Sequence, residues 1–229
     1  MKKISVSSLM LSMLSALSLM TCVVGAQTTY NAAIDFGSSN PSGPWSYWYA
    51  SSTNLTSNFT KLNSQGVTSD YVIWTNSESS VDYPAVWKNI GANTIFGVPA
   101  NSIALHPGLG TTDELYAVLR FIAPSSGTYE TSIQFFQGDL GETTALILYN
   151  NDLRNPLFSS PTTSSDPIYS NALSLQTGDI IDIMVGPQGF DWTDNTPVNA
   201  VLVVPEPSTY ALLLLSGVPS LWALKRRKS

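Results

Sequence analysis

Apolar residues in the body of this chain recur at every second position, in stretches too short and too regular for anything but strands. Tyr129, Thr131, Ile133 and Phe135 fall on one face of such a stretch, with Glu130, Ser132 and Gln134 on the other, because side chains of an extended backbone point alternately to its two sides. Ile181, Ile183 and Val185 repeat the pattern, with Asp182 and Met184 opposite them. Leu115–Phe121 reads as a further strand, Thr143–Tyr149 as an almost wholly apolar central strand, and Asn199–Val204 closes the domain. Turn formers separate these stretches: Ala123-Pro124-Ser125-Ser126-Gly127, Gly138-Asp139-Leu140-Gly141, Asn150-Asn151-Asp152 and Gln176-Thr177-Gly178-Asp179. No sustained 3.6-residue period appears between Ala26 and the extreme C-terminus. The spacing predicts an all-β domain, a single β-sandwich over residues 27–203. Residues 51–70, where 12 of 20 positions are Ser, Thr or Asn, predict a surface loop with at most a weak edge strand.

The two ends read as addresses. Met1-Lys2-Lys3 is a short positive segment, Ile4–Val24 an apolar run, and Val24-Gly25-Ala26 offers small residues before a cut at Ala26/Gln27. This is the pattern of a cleaved secretory signal peptide over residues 1–26, with signal peptidase as the partner. A lipoprotein signal acylated at Cys22 is the rival, and Leu19-Met20-Thr21 suit it poorly. At the other end Val204-Pro205-Glu206-Pro207 precedes the apolar run Tyr210–Leu224 and the cluster Lys225-Arg226-Arg227-Lys228. That order predicts a short C-terminal transmembrane helix, of about 22 Å against the ~30 Å of a hydrocarbon core. The basic cluster puts both termini inside and the body outside, held for a time at the inner membrane. The alternative is an ordinary single-span anchor behind a rigid Pro linker.

The tripartite tail, residues 204–229, resembles a PEP-CTERM sorting signal, the tag of proteins handled by an exosortase in Gram-negative bacteria that make exopolysaccharide. The resemblance implies recognition at Val204, Pro205, Glu206 and Pro207, cleavage nearby, and delivery to the cell surface or extracellular matrix. Two prolines flanking Glu206 hold a backbone that cannot enter a helix, open to a peptidase. In the body, Phe121–Thr131 and Leu175–Asp182 resemble jelly-roll or carbohydrate-binding-module-like sandwiches. The segments Asn40–Tyr47, Val86–Lys88 and Leu105–Gly108 resemble an uncharacterised extracellular domain of surface proteins. These likenesses imply architecture and no activity.

Charge and residue scarcity narrow the function. Of 10 Lys+Arg, six lie in the two ends, so residues 27–205 carry 4 basic and 15 acidic groups, a net charge of −11. Four scattered cations cannot neutralise a row of phosphates, which excludes nucleic acid as a partner. One His and no Cys after Cys22 exclude thiol catalysis, disulfide scaffolds and multi-histidine metal sites. His106, before Pro107 and Gly108, lacks any Gly-x-Ser-x-Gly companion and reads as a loop-closing residue rather than a catalytic base. Carboxylate pairs such as Asp113/Glu114, Asp139/Glu142 and Asp179/Asp182 are expected by chance among fifteen, and Asp182 reads as solvent-facing. Asp191 and Asp194 can offer oxygens to a structural Ca²⁺ or simply form an Asx turn; no other cofactor is expected.

The aromatic segment Trp45-Ser46-Tyr47-Trp48-Tyr49 is the most suggestive feature. Flat indole and phenol rings stack on the C–H faces of sugars, which makes Trp45, Tyr47, Trp48, Tyr49, Trp74 and Trp192 candidate glycan contacts. A sandwich core also takes large aromatics. On that reading Trp45, Tyr47 and Tyr49 face inward and Trp48 alone is available. The expected function is a non-catalytic surface or exopolysaccharide-matrix protein that binds glycan. The alternatives are an adhesive protein that binds other proteins and, more remotely, a glycan hydrolase.

Overall fold

The computed structural model describes residues 27–51, 59–76, 84–109, 114–139, 141–162, 166–188 and 194–205. In chain order the strands are β1 (Gln27–Asn31), β2 (Trp45–Ser51), β3 (Phe59–Lys61), β4 (Ser64–Val67) and β5 (Tyr71–Thr75). There follow β6 (Ala85–Asn89), β7 (Ile103–His106), β8 (Gly108–Leu109), β9 (Glu114–Ile122) and β10 (Gly127–Phe135). The last are β11 (Thr143–Tyr149), β12 (Phe158–Pro161), β13 (Ile168–Leu175), β14 (Ile180–Pro187) and β15 (Thr196–Pro205). Sheet A runs β13-β10-β15-β7-β6-β5-β4 with β1 beside β15, and sheet B runs β12-β11-β14-β9-β2-β3 with β8 beside β9. All pairings are antiparallel, and most neighbours are distant in sequence, a jelly-roll-like arrangement.

One apolar core lies between the sheets. Tyr129, Thr131, Ile133 and Phe135 of β10 all point into it, as the period-2 pattern predicts. They meet Trp45 and Tyr47 of β2, Phe121 of β9, and Ile181, Ile183 and Val185 of β14. Aromatic rings bridge the sheets: Phe121 to Tyr129 at 5.8 Å between centroids, Tyr47 to Trp74 at 5.9 Å, and Phe158 to Phe135 at 6.1 Å. Burial lifts the Tyr47 phenol to about 12, with the Gly37 N–H donating to its oxygen. The Ser/Thr/Asn-rich segment contributes only the short β3 and β4, with 52–58 outside the described residues.

Three turns show why the punctuation falls where it does. Asn150 and Asn151 take positive φ of 49° and 61°, which lets Asp152 N–H reach Tyr149 O in a tight turn at the end of β11. Before β14, Gly178 sits at φ 90° and Asp179 collects bonds from Gln176 N–H, the Tyr149 hydroxyl and the Asn150 amide. Ala123 ties the β9–β10 turn to the β13–β14 turn by donating to Asp179 O and accepting from Gly178 N–H.

Two expectations are corrected here. No helix occurs among the described residues, and none there is long and apolar enough to cross a membrane. The expected flanking C-terminal transmembrane helix, and the transient inner-membrane anchoring that depends on it, therefore find no support among the described residues. The tail offers a physical reason, since fifteen apolar residues interrupted by Pro219 are short of a bilayer core. Residues 206–229, where that expectation lay, are outside the described residues, as are residues 1–26. The second correction concerns β11, which is not central: it has only the four-residue β12 outside it, and β14 and β9 hold the middle of sheet B.

Phe121 touches Tyr30, Trp45 and Tyr129 at centroid distances of 5.3, 5.1 and 5.8 Å. Phe121→Ala is expected to cost about 3–5 kcal/mol and to lower Tm by roughly 10 °C, read by near-UV circular dichroism on heating. Asp179 is held below the usual carboxylate range by the Gln176 backbone N–H first, then by Asn150 and Tyr149. Its contribution is thus present above the unfolded value of about 3.9 and lost as pH falls through its lower folded value. Asp179→Asn is expected to flatten the acid limb of a Tm-versus-pH curve below about pH 4 while leaving the neutral region flat.

Candidate functional site: the outer face of sheet B

Strand alternation divides the aromatic candidates. Trp45 and Tyr47 are 0% exposed and Trp74 is 7% exposed, all within the inter-sheet core, while Tyr49 packs against that core from its edge. The rings of Trp45, Tyr47 and Trp74 fill the space between the sheets, and Trp45 and Trp74 donate their indole N–H groups to Asp35 and to Gly37 O. Trp192 and Asp191 lie outside the described residues. Asp194 is buried, and no three His, Cys, Asp or Glu side chains among the described residues gather to hold a metal ion. Gln27 opens β1, exposed, and Val204 and Pro205 end β15, with Val204 in the core. Of the expected processing segment, Val204 and Pro205 thus belong to β15, and Ala26, Glu206 and Pro207 are outside the described residues. His106 ends β7, half-buried.

Trp48 is the candidate that points away from the core. The register of sheet B places it beside Val118, which faces Met184, which in turn faces Leu146. In the row to one side, Ser46 stands opposite Arg120, and Arg120 opposite Asp182. In the row to the other, Phe59 stands opposite Ala50, and Ala50 opposite Tyr116. The result is an apolar cluster outside the main core. Ala50, Val118, Leu148 and Met184 form its buried floor, with Trp48, Phe59, Tyr116, Leu146 and Leu153 half-buried around them. Gly186 completes the floor: a Cβ there would lie 2.1 Å from Tyr116 Cε1, so the missing side chain is the space the phenol ring occupies.

A buried ion pair anchors this face. Arg120 Nε and Nη2 donate to the two Asp182 carboxylate oxygens at 2.7 and 2.9 Å, and Nη2 also donates to Asn151 Oδ1 at 2.7 Å. Asp182 is 0% exposed, not solvent-facing as its place in the alternation suggests, because the outer face at this point is covered too. Burial pushes the Asp182 carboxyl up, and the bonds and charge of Arg120 pull it back. The guanidinium lies against two rings, its Cζ 4.5 Å from the Phe59 centroid and 4.9 Å from that of Trp48. Trp48 is further fixed by its indole N–H, which donates to Ser46 Oγ at 2.8 Å. The ring orientation is therefore set before any ligand arrives.

Arg120, Asp182, Phe59 and Tyr116 were not legible as members of this site. Period 2 along Leu115–Phe121 puts Tyr116 and Arg120 on the face opposite Ala117, Leu119 and Phe121, which is the available signal. It cannot say that the facing group is Asp182, 62 residues away. Three of the carboxylates weighed as hydrolytic candidates are engaged in structure. Asp139 accepts from Asn195 N–H and from its side-chain amide, Asp179 from three groups of its turn, and Asp182 from Arg120.

No family model and no curated protein matches this chain. Several solved structures resemble it in outline. A family 35 carbohydrate-binding module from Clostridium thermocellum is 12% identical, covering 78% of this chain and 97% of its own, at a TM-score of 0.29. A family 61 module solved with β-1,4-galactotriose is 13% identical over 71% of this chain and 89% of its own, at 0.29. The K1 cleaved adhesin domain of Lys-gingipain from Porphyromonas gingivalis is 10% identical over 80% and 99%, at 0.33.

Removing one member of the buried pair strands the other. Arg120→Met is expected to destabilise by about 3–5 kcal/mol, whereas Arg120→Met with Asp182→Leu recovers most of that loss, measured by urea unfolding of the wild type and the two variants.

Proposed function

We propose that the protein is an exported, non-catalytic component of the cell surface or exopolysaccharide matrix, and that it binds glycan on the outer face of sheet B. The observation that carries this reading is Trp48: a half-buried indole on the outer face, oriented by Ser46 and Arg120 and flanked by Phe59. A ring held in place loses little freedom on binding, and its face suits the apolar side of a pyranose. Around it the face offers polar groups for hydroxyls. Lys61 lies opposite Trp48 on β3, and Tyr116 and the Gln188–Thr144 pair border the same cluster. Export rests on the N-terminal signal pattern, with the cut at Ala26/Gln27. Processing at the Val204-Pro205-Glu206-Pro207 segment rests on the resemblance of the tail to a sorting signal, and a cut beyond Pro205 leaves β15 whole.

Affinity electrophoresis of the full chain through gels cast with the host's own exopolysaccharide tests the reading. Retardation of the wild type and about tenfold weaker retardation of Trp48→Ala, with the fold retained by near-UV circular dichroism, is the expected result. Migration of a folded wild type at the rate seen in a blank gel overturns it and directs attention to protein partners.

A further inference from the structure

Sheet A carries a cleft that the sheet B face does not explain. It has a volume of about 570 Å³, within the ~300–1,000 Å³ of small-molecule sites. Its apolar wall comes from Ala33 and Ile34 after β1, Pro99 before β7, Phe136 after β10 and Pro197 on β15. Its polar wall comes from Asn101, Ser102, Gln137, Asp166 and Asn199. Ile34 is 77% exposed and Phe96, next to the lining residue Gly97, 63% exposed, so apolar surface is left open on this rim.

The polar groups are of one chemical kind. The side-chain amides of Asn101, Gln137 and Asn199 make no hydrogen bond to another described residue, so each still offers two donors and an acceptor. Asp166 keeps Oδ1 on the Gln137 backbone N–H at 3.2 Å, which fixes the carboxylate at the cleft wall. Among the described residues no Lys or Arg lines the cleft; Lys88 donates to Ala33 O at 2.6 Å without lining it. Asn101 at φ 61°, Asp166 at φ 43° and Gly97 at φ 72° hold the wall in left-handed backbone. Such conformations persist where surrounding structure enforces them, and they gather at binding sites. Unpaired amides beside an apolar surface, with one carboxylate and no cation, repel anions and suit a ligand that both donates and accepts through many hydroxyls.

We infer that this cleft is a second binding site, separate from Trp48, for a neutral saccharide of one or two rings. Phe136 and Ile34 take the C–H side of the ring, and Asn101, Gln137, Asn199 and Asp166 take its hydroxyls. The site stands on its own chemistry and does not depend on the reading of the sheet B face.

The test is a ¹H–¹⁵N spectrum of the full chain titrated with maltose, cellobiose, lactose and mannobiose in turn. Saturable shifts of the Asn101, Gln137 and Asn199 side-chain amides with at least one sugar are expected. Asp166→Asn, which tolerates the same φ, together with Asn199→Ala is expected to weaken that binding about tenfold with unchanged Tm. If that pair fails to fold, Asn101→Gly, which also keeps its φ, gives the same reading. Absence of shifts with all four sugars, or binding unchanged in the folded variants, overturns the inference. Shifts confined to Trp48, Phe59 and Tyr116 overturn it as well, and in that case the sheet B reading gains support.

Discussion

Burial of every second residue between the two sheets is the constraint on which everything else in this protein depends. In β2, β9 and β14 the inward positions are Trp45 and Tyr47, then Ala117, Leu119 and Phe121, then Ile181, Ile183 and Val185. A one-residue slip in any of these strands would expose its whole inward set, so the core pins the register tightly. Once it does, Ser46, Trp48, Arg120, Asp182 and Met184 have no choice but the outer face. The candidate site is thus a by-product of core packing, and its geometry is as rigid as the core beneath it.

The buried Arg120–Asp182 pair is the second layer of that logic. An ion pair out of water on a sheet's outer face is seldom stabilising by itself, because desolvation consumes most of the attraction. Here it performs a positional task. The guanidinium is fixed by Asp182 and Asn151, and the fixed guanidinium in turn sets Phe59 and Trp48. A purely apolar patch in the same place would be free to repack, whereas a ring held against a bidentate cation has one orientation. Sheet A differs: the segment between β6 and β7 lies over its outer face, packing Ile95 and Val98 against Trp87 and Ala104. Its cleft opens where that cover ends, beside Gly97 and Asn101.

Much of the fold was legible beforehand. The strand faces of β10 and β14 followed from alternation alone, as did the turns at Asn150-Asn151 and Gly178-Asp179, since each rests on local backbone chemistry. The site was legible only by half. Alternation separated Trp48 from Trp45 and Tyr47, but it could not show that the outer face near β14 is covered. Asp182 therefore read as a surface carboxylate when it is a buried one. The C-terminal apolar run reads as a membrane helix, and it lies outside the described residues, which form strands and the turns between them.

By itself, then, the sequence determined the fold class, the positions of β2, β9, β10, β11, β14 and β15, and which face of β10 and β14 is apolar, because these depend on a residue and its near neighbours. It also narrowed the chemistry open to the chain, since the body carries one His, no Cys and four cations. Only the tertiary structure decided the pairing order of the strands, the meeting of Arg120 with Asp182 across 62 residues, and the fit of Tyr116 over Gly186. It also gathered Asn101, Gln137, Asp166 and Asn199 around one cleft. Those contacts join segments far apart in the chain, and no local preference specifies them; they arise when two sheets close on a shared core.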